Sequence, residues 1–144
     1  MKIKQISVFL ENKVGHLLAV TDELKKAHLN IRAISLADSE NFGIVRMVVE
    51  DPDRAYSVLH EAGHTVKETE VIAVEVEDRP GGLADLLRTF ENCGINIEYM
   101  YAVIEKKGDK AVIILRVEEL DAALAKLSKS EINLLSAEEV LGVL

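Results

Sequence analysis

The N-terminal half of this chain is written again in its C-terminal half. The run Glu11-Asn12-Lys13-Val14-Gly15-His16-Leu17 aligns with Glu77-Asp78-Arg79-Pro80-Gly81-Gly82-Leu83, so that Leu17 falls on Leu83 at an offset of 66. Asn30-Ile31 falls on Asn96-Ile97 at the same offset, while Val49-Glu50, Asp53, Ala55 and Leu59 fall on Val117-Glu118, Asp121, Ala123 and Leu127 at 68. Self-similarity of this extent means that one supersecondary unit is used twice. The change of offset places two extra residues between strands of the second copy, within 105–109.

Length and composition suit two small supporting lobes. A chain of 144 residues divides into halves near the lower size limit for independent stability. Hydrophobic residues make up 49% and there are two prolines, Pro52 and Pro80, so the chain is expected to be ordered. The net charge of −8 opposes binding to a phosphate backbone, and the longest basic runs are pairs, Lys25-Lys26 and Lys106-Lys107. No apolar run approaches the roughly 18 residues of a membrane span. Met1-Lys2-Ile3-Lys4 leads into alternating strand sequence rather than a signal peptide. The single cysteine, Cys93, cannot form an internal disulfide and reads as a small buried apolar residue. A cytoplasmic protein with no nucleic-acid or membrane partner is the expectation.

The hydrophobic period then assigns the elements. Ile6, Val8 and Leu10 alternate with Gln5, Ser7 and Phe9, which predicts a strand over 2–10. Leu17, Val20, Leu24 and Ala27 recur at helical spacing behind Gly15. Ile31 to Leu36 and Ile44 to Val49 form a hairpin around Asp38-Ser39-Glu40-Asn41. Asp51-Pro52 opens a second helix that Gly63 ends, with a strand near 65–68. The second copy repeats the order as strand 71–77, helix 82–93, hairpin 95–117, helix 120–129 and strand 131–135. Ser136 with Glu139 has the form of a capping box for a short terminal helix.

The fold class expected is therefore α+β: two ferredoxin-like βαββαβ domains, 1–68 and 69–144. Each would carry two helices on one face of a four-stranded antiparallel sheet of order 4-1-3-2. Strands 2 and 4 are then edges in need of cover. The two sheets are expected to join side by side into one of eight strands.

Fold alone does not give function. Asp78-Arg79-Pro80-Gly81-Gly82-Leu83, and more weakly Asn12-Lys13-Val14-Gly15-His16-Leu17, resemble the D-x-P-G-x-L turn of ACT domains, regulatory modules that bind amino acids. Gly94-Ile95-Asn96-Ile97 matches the G-I-N-I that follows the first helix in that family, with His28-Leu29-Asn30-Ile31 as the weaker first-copy version. The resemblance covers nearly the whole chain and implies a tandem ACT protein with no catalytic domain attached. It implies a small amino acid held between two domains, touching one turn and the other domain's second strand. On that strand the candidates are Ser35 and Tyr101, with Ile34 and Met100 read as core.

The turn also has a rationale in its own chemistry. Gly15, Gly81 and Gly82 permit a sharp strand-to-helix turn, behind which unpaired helix N–H groups can hold an α-carboxylate. Asp78, or Asn12 in the first copy, can accept from an α-ammonium group. The expected ligand-binding set is Asn12, Val14, Gly15, His16, Leu17 and Ser35 with Asp78, Pro80, Gly81, Gly82, Leu83 and Tyr101. The first turn departs from the family pattern at Asn12, Val14 and His16, and His16 can close over a ligand held by the second turn. The partners expected are an amino acid, an enzyme of amino-acid metabolism regulated allosterically, and a second copy of the chain in a homodimer. No cofactor or metal is expected.

Other readings are weaker. His60-Glu61-Ala62-Gly63-His64 spells H-E-x-x-H, but that zinc chemistry needs both histidines on one continuing helix, and Gly63 sits where the helix should end. Arg79 with Gly81-Gly82 only faintly imitates the phosphate loop of acylphosphatase, which shares the element order. Ser7, Ser35 and Ser57 have no histidine placed to activate them. The alternative of a different class is a protein–protein interaction module that works through exposed edge strands without a small ligand.

Overall fold

The computed structural model describes residues 1–39, 41–104 and 108–142. They fall into two compact units: the first is Lys4–Thr69, and the second runs from Glu70 onward together with Met1–Ile3. The first unit contains β1 (Ile3–Glu11), α1 (His16–Lys26), β2 (Ile31–Ser39), β3 (Phe42–Val49), α2 (Pro52–Glu61) and the leading part of β4 (Thr65–Glu77). The second contains the rest of β4, then α3 (Gly82–Asn92), β5 (Ile97–Ala102), β6 (Lys110–Val117), α4 (Leu120–Leu127), β7 (Leu134–Leu135) and α5 (Ala137–Leu141). The strands of the first unit are ordered β2-β3-β1-β4 and those of the second β7-β4-β6-β5. Numbered within its own copy, each sheet reads 4-1-3-2, the expected order.

Seven strands are present among the described residues, not the expected eight. The fourth strand of the first copy and the first strand of the second are one element of 13 residues, TVKETEVIAVEVE. Neither glycine nor proline interrupts that run, so nothing in it turns the chain between Thr65 and Glu77. Part of the expected two-residue insertion within 105–109, and Glu40 of the first hairpin, lie outside the described residues.

Each unit has its own apolar core between sheet and helices. In the first, Ile6 and Val8 of β1 and Val45, Met47 and Val49 of β3 alternate onto the face covered by Val20 and Leu24 of α1 and Ala55 and Leu59 of α2. In the second, Ile72 and Val74 of β4 and Ile113, Leu115 and Val117 of β6 meet Leu86 and Phe90 of α3 and Ala123 and Leu127 of α4. Ile34 and Met100 pack against these cores, as read from the sequence. Cys93 departs from expectation: it is half-buried, because it is the C-terminal cap of α3 rather than a residue on its inner face.

Local chemistry fixes the helix ends. The Asp51 side chain accepts from the Arg54 N–H at 3.2 Å with Pro52 at the first helical position, capping α2 as expected. Ser136 and Glu139 form the reciprocal capping box of α5. α1 and α3 end alike: Leu29 N–H donates to Leu24 O and His28 N–H to Lys25 O, while Ile95 N–H donates to Phe90 O and Gly94 N–H to Glu91 O. This 6→1 with 5→2 pairing needs a left-handed residue. Gly94 supplies it at φ 68 in the second copy, and His28 at φ 58 in the first. No helix of the described residues is long and apolar enough to cross a membrane.

Candidate functional site

Both copies pass from first strand to first helix along the same backbone path. In the first, Lys13 N–H donates to Glu11 O at 2.8 Å, His16 N–H to Lys13 O at 3.2 Å and Ala19 N–H to Gly15 O at 3.0 Å. In the second, Arg79 N–H donates to Glu77 O, Gly82 N–H to Arg79 O and Asp85 N–H to Gly81 O, each at 3.0 Å. Gly15 at φ 90 and Gly81 at φ 87 hold the left-handed capping position, and neither helix is capped by a side chain. With His16 and Gly82 already donating, Leu17, Leu18, Leu83 and Ala84 carry the first-turn N–H groups that have no intrahelical partner. Each turn is pinned to the hairpin of its own unit, by Asn12 N–H to Asn41 O and by Asp78 N–H to Asp109 O, both 3.0 Å.

Side chains make the two turns chemically different. In the second, the Arg79 guanidinium bonds Glu77 at 2.6 Å and Asp85 at 2.8 Å and also reaches Pro80 O at 3.1 Å, and these carboxylates, Glu77 first, raise its pKa further. In the first, Lys13 meets Glu11 at 2.9 Å. The Lys13 ammonium, with a smaller contribution from His16, holds the Glu11 carboxyl below the ordinary carboxylate range. Gly82 is buried, whereas His16 at the matching position is half-buried and Val14 is fully exposed.

A cleft opens beside each turn at corresponding positions. The first, of about 490 Å³, lies between Glu11, His16 and Ala19 and the segment Gly63-His64-Thr65 that enters β4. The second, of about 280 Å³, lies between Glu77, Gly82 and Asp85 and the segment Glu131-Ile132-Asn133. Strand end, helix start and the entry to the fourth strand thus enclose a hollow twice.

The sequence model of a family described as an ACT domain pair matches residues 1–143. The chain belongs to that family. A protein from Bacteroides thetaiotaomicron, known as a crystal structure, is 35% identical, with 98% of this chain and 96% of that one covered and a TM-score of 0.91. The regulatory subunit of aspartate kinase from Thermus thermophilus, in its ligand-free form, is 17% identical over 88% of this chain and 91% of its own, with a TM-score of 0.62. Its counterpart from Thermus flavus is 17% identical over 88% and 90%, with a TM-score of 0.60. At that identity the aspartate kinase subunits show likeness of fold. No curated protein matches the chain by sequence.

Within this ACT pair, the turn residues Asn12, Val14, Gly15, His16 and Leu17 stand together, as do Asp78, Pro80, Gly81, Gly82 and Leu83. The second-strand residues stand elsewhere. Ser35 lies opposite Arg46, which lies opposite Ser7, five positions before Asn12 on the same stretch of chain. Tyr101 lies opposite Ile114, which lies opposite Ala73, five positions before Asp78. At about 3.3 Å per residue that separates strand row from turn by roughly 16 Å within each unit. Ser35 is half-buried, and Tyr101 is buried.

Of the residues lining the first cleft, only His16 was among the expected site residues; Phe9, Phe42 and His64 are among those that sequence reasoning did not place there. Phe9 read as the polar-side partner in strand alternation and Phe42 as part of a hairpin. The H-E-x-x-H run did draw attention to His64. The structure stacks His60 on Tyr56, ring centroids 5.8 Å apart, in the last turn of α2, while Gly63 at φ 90 turns His64 out of the helix and into the cleft lining. The two histidines therefore do not share a helix face.

Proposed function

We propose that this ACT pair is a non-catalytic regulatory protein that binds a small amino acid at its glycine turns and passes the binding event to an enzyme of amino-acid metabolism. The observation that carries this reading is the repetition of one backbone path: a left-handed glycine, an uncapped helix start and a cleft beside it, twice in one chain. An α-carboxylate is held by the free first-turn N–H groups, where the helix dipole also favours negative charge. Asp78 then accepts from the α-ammonium group, and Asn12 does so more weakly because its amide carries no charge. A homodimer would supply the interface between ACT-like domains that brings a second-strand residue such as Tyr101 to a turn. A ligand held across such an interface shifts the assembly by its differential affinity for the closed arrangement. The likeness in fold to aspartate kinase regulatory subunits supports an enzyme as the partner.

The test is thermal unfolding of ligand-free protein against each of the twenty amino acids in excess. At a hundred times its dissociation constant, a ligand stabilises the native state by about 2.7 kcal/mol. One amino acid, or a chemically related pair, raising the midpoint supports the reading. No response from any of the twenty overturns it.

A further inference from the structure

The strand order ends on β2 in the first unit and on β5 in the second. An edge strand leaves a row of backbone N–H and C=O groups ready to pair with another chain unless it is short, charged or covered. β5 is six residues long, and its Glu98 is engaged by Arg116 at 3.4 Å. β2 is nine residues long and contains no glycine, proline or lysine, and its outer half, Leu36–Ser39, is exposed.

Large apolar side chains stand exposed beside this edge in the first copy only. Leu36 is 54% exposed and Leu18 62%, and Val14 is fully exposed. At the offset of 66 they fall on Ala102, Ala84 and Pro80. Both copies build the same sandwich, so the fold itself does not require a leucine at either place. The three residues also share a flank. Leu36 lies opposite Val45, a core residue, and so stands on the helix side of β2. His16 faces the cleft at the entry to β4, and Leu18, two residues on and about 200° round the helix, faces away from it. β4 and β2 close opposite ends of the first unit's sheet, so that direction is toward β2. Leu10 lies opposite Gly43 and Gly43 opposite Asp38, which sets the start of α1, with Val14 just before it, level with the exposed half of β2.

β2 is also complementary to itself. Residues directly opposite in an antiparallel pair share a face, so a twofold pairing of β2 with the β2 of a second copy keeps both sets of helices on one side only when even-numbered residues oppose even-numbered ones. Centred on Ser35, the pairing sets Ile34 opposite Leu36 of the second copy. It also brings Arg32, at the bulge between Ile31 and Ala33 and 3.7 Å from Glu50 of its own chain, to the end where the second copy's Asp38 stands. Centred on Ile34 it would face Leu36 with Arg32, and centred on Leu36 it would face Ile34 with Asp38, a charge against an apolar side chain each time. A surface that matches its own copy about a twofold axis closes as a dimer and does not propagate.

We propose that two copies of this chain dimerise through the β2 edge of the first ACT domain, the strands antiparallel about Ser35, with Leu18 and Val14 of each copy covering the seam. This deepens the proposed function by naming the surface of its homodimer, with Ser35 rather than Tyr101 at the twofold axis. It rests on that reading for the second copy alone and not for the ligand.

The experiment is sedimentation velocity of the ligand-free full chain over a concentration series. Wild type is expected to dimerise. Leu36→Glu and Leu18→Glu should each raise the dissociation constant by about tenfold or more, because unpaired carboxylates would be buried in the seam. Ala102→Glu and Ala84→Glu, at the matching places of the second copy, should leave it unchanged. All four positions are exposed, so the variants should keep the fold, which circular dichroism checks. Should a glutamate variant unfold, Ser35→Cys reads the same seam. The Cα separation of an antiparallel pair, about 4.5–5.5 Å, suits a disulfide. Mild oxidation should therefore join two Ser35→Cys chains, a link that wild type, with Cys93 alone, and Ala102→Cys do not form. A monomeric wild type, a dimer that the first-copy variants leave intact, or the absence of the Ser35→Cys link overturns the proposal. If the chain dimerises in this way while none of the twenty amino acids stabilises it, the proposed function fails and this inference stands. If an amino acid stabilises a chain that stays monomeric, this inference fails and the amino-acid reading stands.

Discussion

A β-carbon on Gly82 would stand 2.0 Å from the carbonyl oxygen of Glu77. The obstacle is backbone, not the end of a flexible side chain, so the strand end and the helix start would have to move apart. At Gly15 a β-carbon meets nothing within 4 Å, and only the left-handed backbone at φ 90 resists it. Gly82→Ala is therefore expected to cost about 1–3 kcal/mol by overpacking, and Gly15→Ala about 1–2 kcal/mol by backbone strain alone. Denaturant unfolding of the two variants checks the pair. A Gly82→Ala protein as stable as wild type would show that the second turn is looser than described.

His28 holds φ 58 at the position where the second copy has Gly94. A side chain in the left-handed region is a standing cost that glycine removes. His28→Gly should raise stability by about 1 kcal/mol, read as a higher unfolding midpoint. The reciprocal Gly94→His should lower it by a similar amount.

Asp51 accepts the Arg54 N–H and holds the start of α2, whose Ala55 and Leu59 are fully buried in the first core. Asp51→Ala removes that acceptor and should cost about 1 kcal/mol. Asp51→Asn, which keeps an oxygen at the same place, should recover most of the loss.

Glu11 titrates below an ordinary carboxylate because Lys13 stabilises its charged form. A group with a depressed folded-state pKa contributes stability that is present above its unfolded value and lost as pH falls through the folded one. Both partners are exposed, so the effect on stability is small. The direct check is carbon-detected NMR titration of the Glu11 carboxyl. Its midpoint should lie below that of a free glutamate in wild type and move upward in Lys13→Gln.

The repeat made much of this architecture legible in advance. Alternation at Ile6 and Val8, the Asp51-Pro52 start, the Gly63 stop and the Ser136 capping box are local signals, and the structure follows each of them. The eight-strand expectation failed because a boundary between copies is not a break in the backbone. Residues 65–77 contain no glycine or proline to turn the chain, and they run as one strand.

The element order, the two copies and the glycine turns could thus be read from the chain, because each depends on residues close together along it. The clefts were decided by tertiary structure. Phe9, His16, Phe42 and His64 lie on four separate segments, and no period or spacing relates them. They meet because β1 pairs with β3 and because the entry to β4 comes back beside the start of α1. The chemistry of the hollow is thus set by long-range pairing, in which one segment's polar-side residue becomes another segment's neighbour.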